Sequence, residues 1–97
     1  MVRLEIIANN TVEQDIKEAL GAAEEDLRFS RLSGIHGQGR QQPRQGDEVW
    51  PEENFMLIIY CSREQALRYA AGIKAVKERF PREGIKVFAL PFEEMEL

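Results

Sequence analysis

The sequence predicts an α+β fold in which a four-stranded antiparallel sheet carries two helices on one face. Three observations support this prediction: apolar residues alternate with other residues near both ends of the chain, two segments repeat apolar residues at helical spacing, and an unbroken apolar run lies between them. The chain has 97 residues, the common size of one domain, so we expect these segments to share a single core.

The first half of the chain contains a predicted strand, a helix and a second strand. Every second position at the start is apolar, as in a strand with one buried face: Val2, Leu4, Ile6 and Ala8. Asn10 or Thr11 is expected to cap the following helix, because each has a Glu or Gln three positions later. The apolar stripe of that helix continues to about Ala23. A second strand is predicted between Asp26 and Gly37.

The second half repeats the order strand, helix, strand. All seven residues of Phe55–Cys61 are apolar, which indicates a central strand with apolar partners on both faces. Ser62 and Gln65 form a predicted capping box for a helix that Pro81 stops. Pro91 closes the last strand. The apolar positions of that strand alternate: Ile85, Val87 and Ala89.

This order of elements is the split βαβ pattern of a ferredoxin-like domain, βαββαβ. Two helices cover only one face of the sheet, yet the third strand is expected to be buried on both. We therefore expect a second copy of the chain to cover the open face, in a symmetric oligomer. In the alternative, the segment Leu90–Phe92 lies on that face.

A long polar segment separates the two halves, and we expect residues 37–54 to form an exposed, mobile loop. Residues 37–46 contain no apolar side chain, so they cannot bury enough surface to hold a fixed packed conformation. Gly37 and Gly39 allow backbone amides to approach an anion, and Arg40 supplies a planar, charged donor group suited to phosphate. The loop is therefore a candidate site for an anionic ligand.

The rest of the loop offers side chains for recognition. Gln41 adds an amide that can bond a purine edge or the backbone. We assign Gln42, Arg44 and Trp50 to the surface that contacts a protein partner, with Trp50 as a hot spot. In the alternative, Trp50 anchors the end of the loop against the domain.

A second group of candidate ligand residues lies between the second helix and the last strand. Arg82, Gly84 and Lys86 combine cationic side chains with a glycine, an arrangement in which a phosphate could be bound. The same residues are equally typical of an ordinary helix-exit turn.

Composition and charge argue against several functional classes. The formal net charge of −4 argues against nucleic-acid binding, and the longest apolar run, seven residues, is far shorter than the roughly 20 that a membrane-spanning helix needs. Polar residues near the start interrupt any secretory signal, so we expect a cytoplasmic protein, which the lone Cys61 fits. No acid, base and nucleophile can be placed together, so no enzyme is predicted. His36 is a candidate metal ligand, with a plain surface imidazole as the alternative.

The segment Gly37–Gln41, after a strand and before a long polar loop, resembles the start of the T-loop in the PII signal-transduction family of nitrogen regulators. The order of elements resembles that family over nearly the whole chain. The resemblance implies a homotrimer that binds adenine nucleotides in clefts between subunits, with a T-loop that docks onto a transporter, enzyme or regulator. It also implies that Gly37, Gly39 and Gln41 touch the nucleotide, and that Lys86 matches the phosphate-binding lysine.

The sequence departs from the family pattern in ways that indicate a divergent member. Residues 80–84 form a shorter segment with one glycine where typical members are glycine-rich, so the phosphate-binding loop is reduced. No tyrosine occurs from residue 37 to residue 53, so uridylylation of the loop is not expected. Two alternatives share the architecture: a metal-responsive trimer that resembles the CutA-type family, with His36 and Cys61 as ligands, and a protein-interaction module without a small ligand.

Overall fold

The computed structural model describes residues 1–37 and 53–97 of the chain. The elements follow in the predicted order: β1 (Val2–Asn9), a 3₁₀ turn (Asn10–Val12), α1 (Glu13–Ala23), β2 (Ser30–Ile35), β3 (Asn54–Cys61), α2 (Arg63–Arg79) and β4 (Ile85–Pro91). The sheet has the order β2-β3-β1-β4, and every neighbouring pair is antiparallel. The predicted ferredoxin-like α+β fold is confirmed.

The core lies between one face of the sheet and the two helices. β1 and β3 bury alternate residues, as expected for strands with one face toward a core. The helices contribute apolar stripes to the same cluster. Its largest fully buried side chains come from the strands, α1, α2 and the 3₁₀ turn: Leu4, Ile6, Val12, Ile16, Leu20, Phe55, Leu57, Ile59, Ile73 and Val76.

The opposite face of the sheet, which we call the open face, is apolar and accessible within one chain. Met56 and Ile58 of β3 are only half-buried there. Several large side chains on this face are about half exposed: Leu32 at 45%, Tyr60 at 54%, Phe88 at 49% and Leu90 at 41%. The described residues therefore bury β3 on one face only, and they do not supply the expected apolar cover of its second face.

The segment after β4 covers only one corner of the open face. The ring of Phe92 meets the ring of Tyr60 edge to face, with 4.9 Å between the ring centres. Leu90, two residues before Phe92 and still within β4, is itself exposed. The alternative in which Leu90–Phe92 covers the open face therefore accounts for a small part of it.

The start of α1 differs from the sequence-based expectation. The side-chain cap comes from Asn9 rather than from Asn10 or Thr11, and it belongs to the 3₁₀ turn that precedes α1: Asn9 Oδ1 accepts a hydrogen bond from the Thr11 backbone N–H at 2.9 Å. The start of α1 itself, at Val12, has no side-chain cap. β1 continues through Asn9, which pairs with Asn54, so the chain turns directly from the strand into a 3₁₀ turn. The helical hydrogen bonds of α1 consequently begin at Glu13.

The start of α2 matches the expectation. The Gln65 backbone N–H donates to Ser62 Oγ at 3.1 Å, and the Ser62 backbone N–H donates to Gln65 Oε1 at 2.9 Å, which completes the predicted capping box. The helix ends at Arg79, two residues before Pro81. Within residues 1–37 and 53–97, neither helix combines the length and the hydropathy that crossing a bilayer requires.

Candidate ligand site at one end of the sheet

Both predicted ligand-binding loops join the sheet at the same end. β2 ends at Ile35, which lies opposite Asn54, the first residue of β3. Asn54 in turn pairs with Asn9 at the end of β1, and β4 begins beside Ala8. The segments that follow β2, precede β3 and precede β4 therefore all emerge at the same end.

Hydrogen bonds from the turn after β1 connect these segments. The Asn9 backbone N–H donates to the Gly84 carbonyl at 3.2 Å, and the Asn10 backbone N–H donates to the Glu53 carbonyl at 3.0 Å. Asn10 Nδ2 also lies 3.4 Å from Glu53 Oε2. Asn10 Oδ1 is buried at this junction without a donor from the described residues. The two asparagines thus fix the position of Gly84 relative to the end of the long loop.

The predicted ligand residues on the described part of the chain lie at the two edges of the sheet. Gly37 follows edge strand β2, whereas Gly84 directly precedes edge strand β4 and Lys86 is the second residue of that strand. Three strand spacings separate these edges, which amounts to about 14 Å. Lys86 pairs with Ile7 and its side chain lies on the open face. A ligand that contacts both edges of one chain must therefore extend across the end of the sheet.

The remaining predicted loop residues have no described position. Gly39, Arg40, Gln41, Gln42, Arg44 and Trp50 lie outside the described residues. The predicted loop boundary at residue 54 is wrong by one position, because Asn54 is already part of β3.

His36 and Cys61 do not share a site within one chain. His36 follows β2 at the end where β3 begins, whereas Cys61 is the last residue of β3. The length of β3 separates these ends by about 23 Å. Cys61 is buried, and that burial raises the pKa of its thiol, so it behaves as the small apolar side chain that the sequence predicts. Among the described residues, no three potential ligands are grouped for a metal ion.

The strongest polar contact near the long loop joins β2 to the start of α1. Arg31 donates from Nε and Nη2 to the two carboxylate oxygens of Glu13, both at 2.7 Å. Lys17 Nζ lies 2.8 Å from the same carboxylate. The hydrogen bonds from Arg31, followed by those from Lys17, lower the pKa of Glu13 to about 2. Because the Arg31 guanidinium is paired with Glu13 in this way, its charge is not available to bind an anionic ligand.

Sequence reasoning missed three residues that shape this end of the sheet: Asn9, Asn10 and Lys77. Asn10 was considered only as a helix cap and Asn9 was given no role, and their bonds to Glu53 and Gly84 join residues that are far apart in sequence. Lys77 lies in the last turn of α2, but it bonds the Pro81 and Glu83 carbonyls beyond the end of the helix, and no local pattern predicts that contact.

The sequence matches no known family model and no curated protein. Solved structures do resemble it. CPII, a nitrogen regulatory PII-like protein from Thiomonas intermedia K12 bound to ADP, AMP and bicarbonate, superimposes with a TM-score of 0.75 at 16% identity, over 99% of this chain and 93% of that one. The apo form of CPII gives a TM-score of 0.63 at 14% identity, over 92% of this chain and 87% of that one.

A candidate PII-like signalling protein from Thermus thermophilus gives a TM-score of 0.64 at 21% identity, over 92% of this chain and 83% of that one. At these identities the likeness establishes the fold. The chain therefore has the fold of PII-like proteins, as the resemblance in the sequence predicts.

Proposed function

We propose that this chain is a divergent PII-like regulatory protein, without enzymatic activity, that forms a homotrimer and binds an adenine nucleotide at the end of the sheet where its two loops meet. The observation that carries the proposal is the fold likeness to CPII, which spans 99% of this chain and includes a structure bound to ADP, AMP and bicarbonate. Binding of the ligand would bias the conformation of the long loop and so control a protein partner, such as a transporter or regulator.

The open face supports the trimer. It carries apolar side chains on all four strands, among them Leu32, Ile7, Ile58 and Phe88, and a single chain leaves them accessible. Exposed apolar surfaces of this kind usually mark an interface, and most soluble oligomers are symmetric assemblies of one chain. Association through the open face would also bring the sheet ends of neighbouring chains together, which would create the clefts that the ligand requires.

The loop bases support the ligand site. Gly37 and Gly84 emerge at the same end of the sheet, and Asn9 and Asn10 hold the surrounding backbone through hydrogen bonds to Gly84 and Glu53. A nucleotide would have to extend over about 14 Å to contact both edges of one chain, whereas in an oligomer it could contact one edge of each of two chains. Arg40, Gln41 and Lys86 would then supply donors to the phosphates and the base.

Isothermal titration with ADP and AMP, each with and without bicarbonate, tests the proposed ligand. We expect saturable binding that the double variant Arg40→Ala/Gln41→Ala weakens by at least tenfold, because it removes a phosphate donor and a base-binding amide. Arg63→Ala is the matched control, since Arg63 is an exposed residue at the start of α2, away from the loops. The absence of binding at millimolar concentrations would contradict the proposal.

A pull-down that uses this protein as the bait, performed with and without ADP, tests whether a nucleotide controls binding of a protein partner. Capture that depends on ADP and is lost in Trp50→Ala is expected from the proposal. Capture that is independent of any nucleotide would favour the interaction module instead. The metal-responsive alternative gains no support from the described residues, where His36 and Cys61 lie at opposite ends of β3.

A further inference from the structure

The turn between α2 and β4, residues 80–84, is fastened to the preceding helix by one lysine. Lys77 Nζ donates to the Pro81 carbonyl at 3.1 Å and to the Glu83 carbonyl at 2.6 Å. The turn is closed by a further bond, from the Glu83 backbone N–H to the Phe80 carbonyl at 3.0 Å. These three hydrogen bonds, together with those from the Asn9 N–H to the Gly84 carbonyl and from the Phe80 N–H to the Val76 carbonyl, hold the backbone of this short segment.

The position of Lys77 determines where two backbone donors point. In a planar trans peptide the carbonyl and the following N–H face opposite ways. Because the carbonyls of Pro81 and Glu83 are both held by Lys77, the N–H groups of Arg82 and Gly84 are directed away from the ammonium, on the other side of the turn.

Phe80, Pro81 and Glu83 offer no further backbone donor to a ligand. The Phe80 N–H bonds to the Val76 carbonyl, Pro81 has no N–H, and the Glu83 N–H bonds to the Phe80 carbonyl. For the Gly84 N–H, the described residues provide no backbone partner. Gly84 is exposed, so an external acceptor can reach it.

The charge of Lys77 matters as much as its geometry. The turn follows the C-terminal end of α2, where the helix dipole places a partial negative charge of about one half. That partial charge would repel an anion. The side chains of Arg82 and Glu83 carry opposite charges, which offset each other. The ammonium of Lys77 lies directly beneath the turn and opposes the dipole at the point where the backbone donors emerge.

We infer that Lys77 is a positioning residue that prepares the turn between α2 and β4 to receive the phosphate of the ligand through the backbone N–H of Gly84. The inference rests on the proposed function for the identity of the ligand. It supplies a physical reason why a segment with one glycine can serve where a glycine-rich loop would otherwise be expected: the orientation that glycines would permit is here imposed by a lysine.

Titrations of matched variants test this inference. Lys77→Met keeps the length and helix propensity of the side chain but removes the ammonium. We expect it to weaken ADP binding about tenfold while the affinity for adenosine, which has no phosphate, stays within about twofold. Lys77→Arg retains the charge and several donors and should restore most of the affinity. Lys74→Met is the control, because Lys74 is an exposed lysine one turn earlier on α2.

A second measurement separates this inference from the proposed function. Inorganic phosphate is titrated into the ¹⁵N-labelled protein, and the amide resonance of Gly84 is followed by NMR. Saturable shifts in the wild type that are lost in Lys77→Met support the inference, even if the wild type binds no adenine nucleotide and the proposed function fails. Equal losses for ADP and adenosine, or a Gly84 amide that does not respond to phosphate in the wild type, would overturn it.

Discussion

At the scale of single residues, the pairing of Glu13 with Arg31 is the contact with the clearest consequence for stability. The pKa of Glu13 is lowered to about 2, chiefly by hydrogen bonds from Arg31. Its ordinary value in an unfolded chain is about 4.3. A carboxyl group with a lowered pKa stabilises the fold above its unfolded pKa, and that contribution is lost as the pH falls toward its folded pKa.

We therefore expect Glu13→Gln to lower the free energy of unfolding by about 1 kcal/mol at pH 7, because it weakens a partly exposed, bidentate ion pair. Urea denaturation at a series of pH values measures this difference, which should shrink as the pH falls from about 4.5 toward 2. Glu25→Gln, an exposed carboxyl beyond the end of α1, controls for the change in net charge. A difference between wild type and Glu13→Gln that persists unchanged at pH 2 would rule out this account of the pair.

Neither Glu13–Arg31 nor Lys77–Glu83 could be predicted from the sequence. The first pair is 18 residues apart, and its formation depends on how β2 crosses beside the start of α1. The second depends on the reversal of the chain at Pro81, which brings later carbonyls back toward the helix. Local patterns report the type of an element, whereas such contacts depend on the packing of several elements.

At the scale of secondary-structure elements, prediction succeeded where the signal was periodic or local. The alternation of β1 and the capping box of α2 are both present as expected. The cap of α1 was misplaced because Asn9, Asn10 and Thr11 are all good capping residues, and the choice among them depends on the pairing of Asn9 with Asn54 in the sheet.

Two glycines make a matched test of backbone conformation within these elements. Gly21 lies in α1, and an added methyl group there would meet nothing within 4 Å. Gly34 lies in an irregular part of β2 with a φ of 66°, in the left-handed region that favours glycine. The same substitution should therefore have opposite effects at the two positions.

We expect Gly21→Ala to raise the free energy of unfolding by about 1 kcal/mol, through higher helix propensity. We expect Gly34→Ala to lower it by about 1 kcal/mol, because alanine is strained at that φ. Chemical denaturation of both variants in one buffer measures the two effects. Two shifts in the same direction would show that at least one of these backbone assignments is wrong.

At the scale of the whole molecule, the sequence predicted the fold and an apolar surface that one chain does not cover. The prediction of that surface depended on the unbroken apolar run of β3. The half-buried residues of the run, Met56 and Ile58, lie on the open face. The ligand site was predicted less completely. Its central loop residues lie outside the described part of the chain, and the contributions of Asn9, Asn10 and Lys77 arise only from the folded arrangement.

The open face can be tested with one matched pair of variants. Ile58 lies on the open face opposite Glu5, whose carboxylate pairs with Arg3, so Ile58→Lys places an additional charge in the proposed interface. We expect this variant to remain folded but to dissociate to a monomer in light scattering after gel filtration. Leu67→Lys puts the same charge on the helical side, where Leu67 is already exposed, and should leave the trimer intact. Dissociation caused by Leu67→Lys but not by Ile58→Lys would show that the interface lies on the helical side, and this result would contradict the account.

Native mass spectrometry in the presence of ADP tests the trimeric, nucleotide-binding account most directly, because it reports subunit number and bound ligand together. The account predicts a species of three times the 11.2 kDa mass of one chain, carrying up to three ADP molecules. A lone chain without bound nucleotide, at protein concentrations where circular dichroism shows it to be folded, would contradict it.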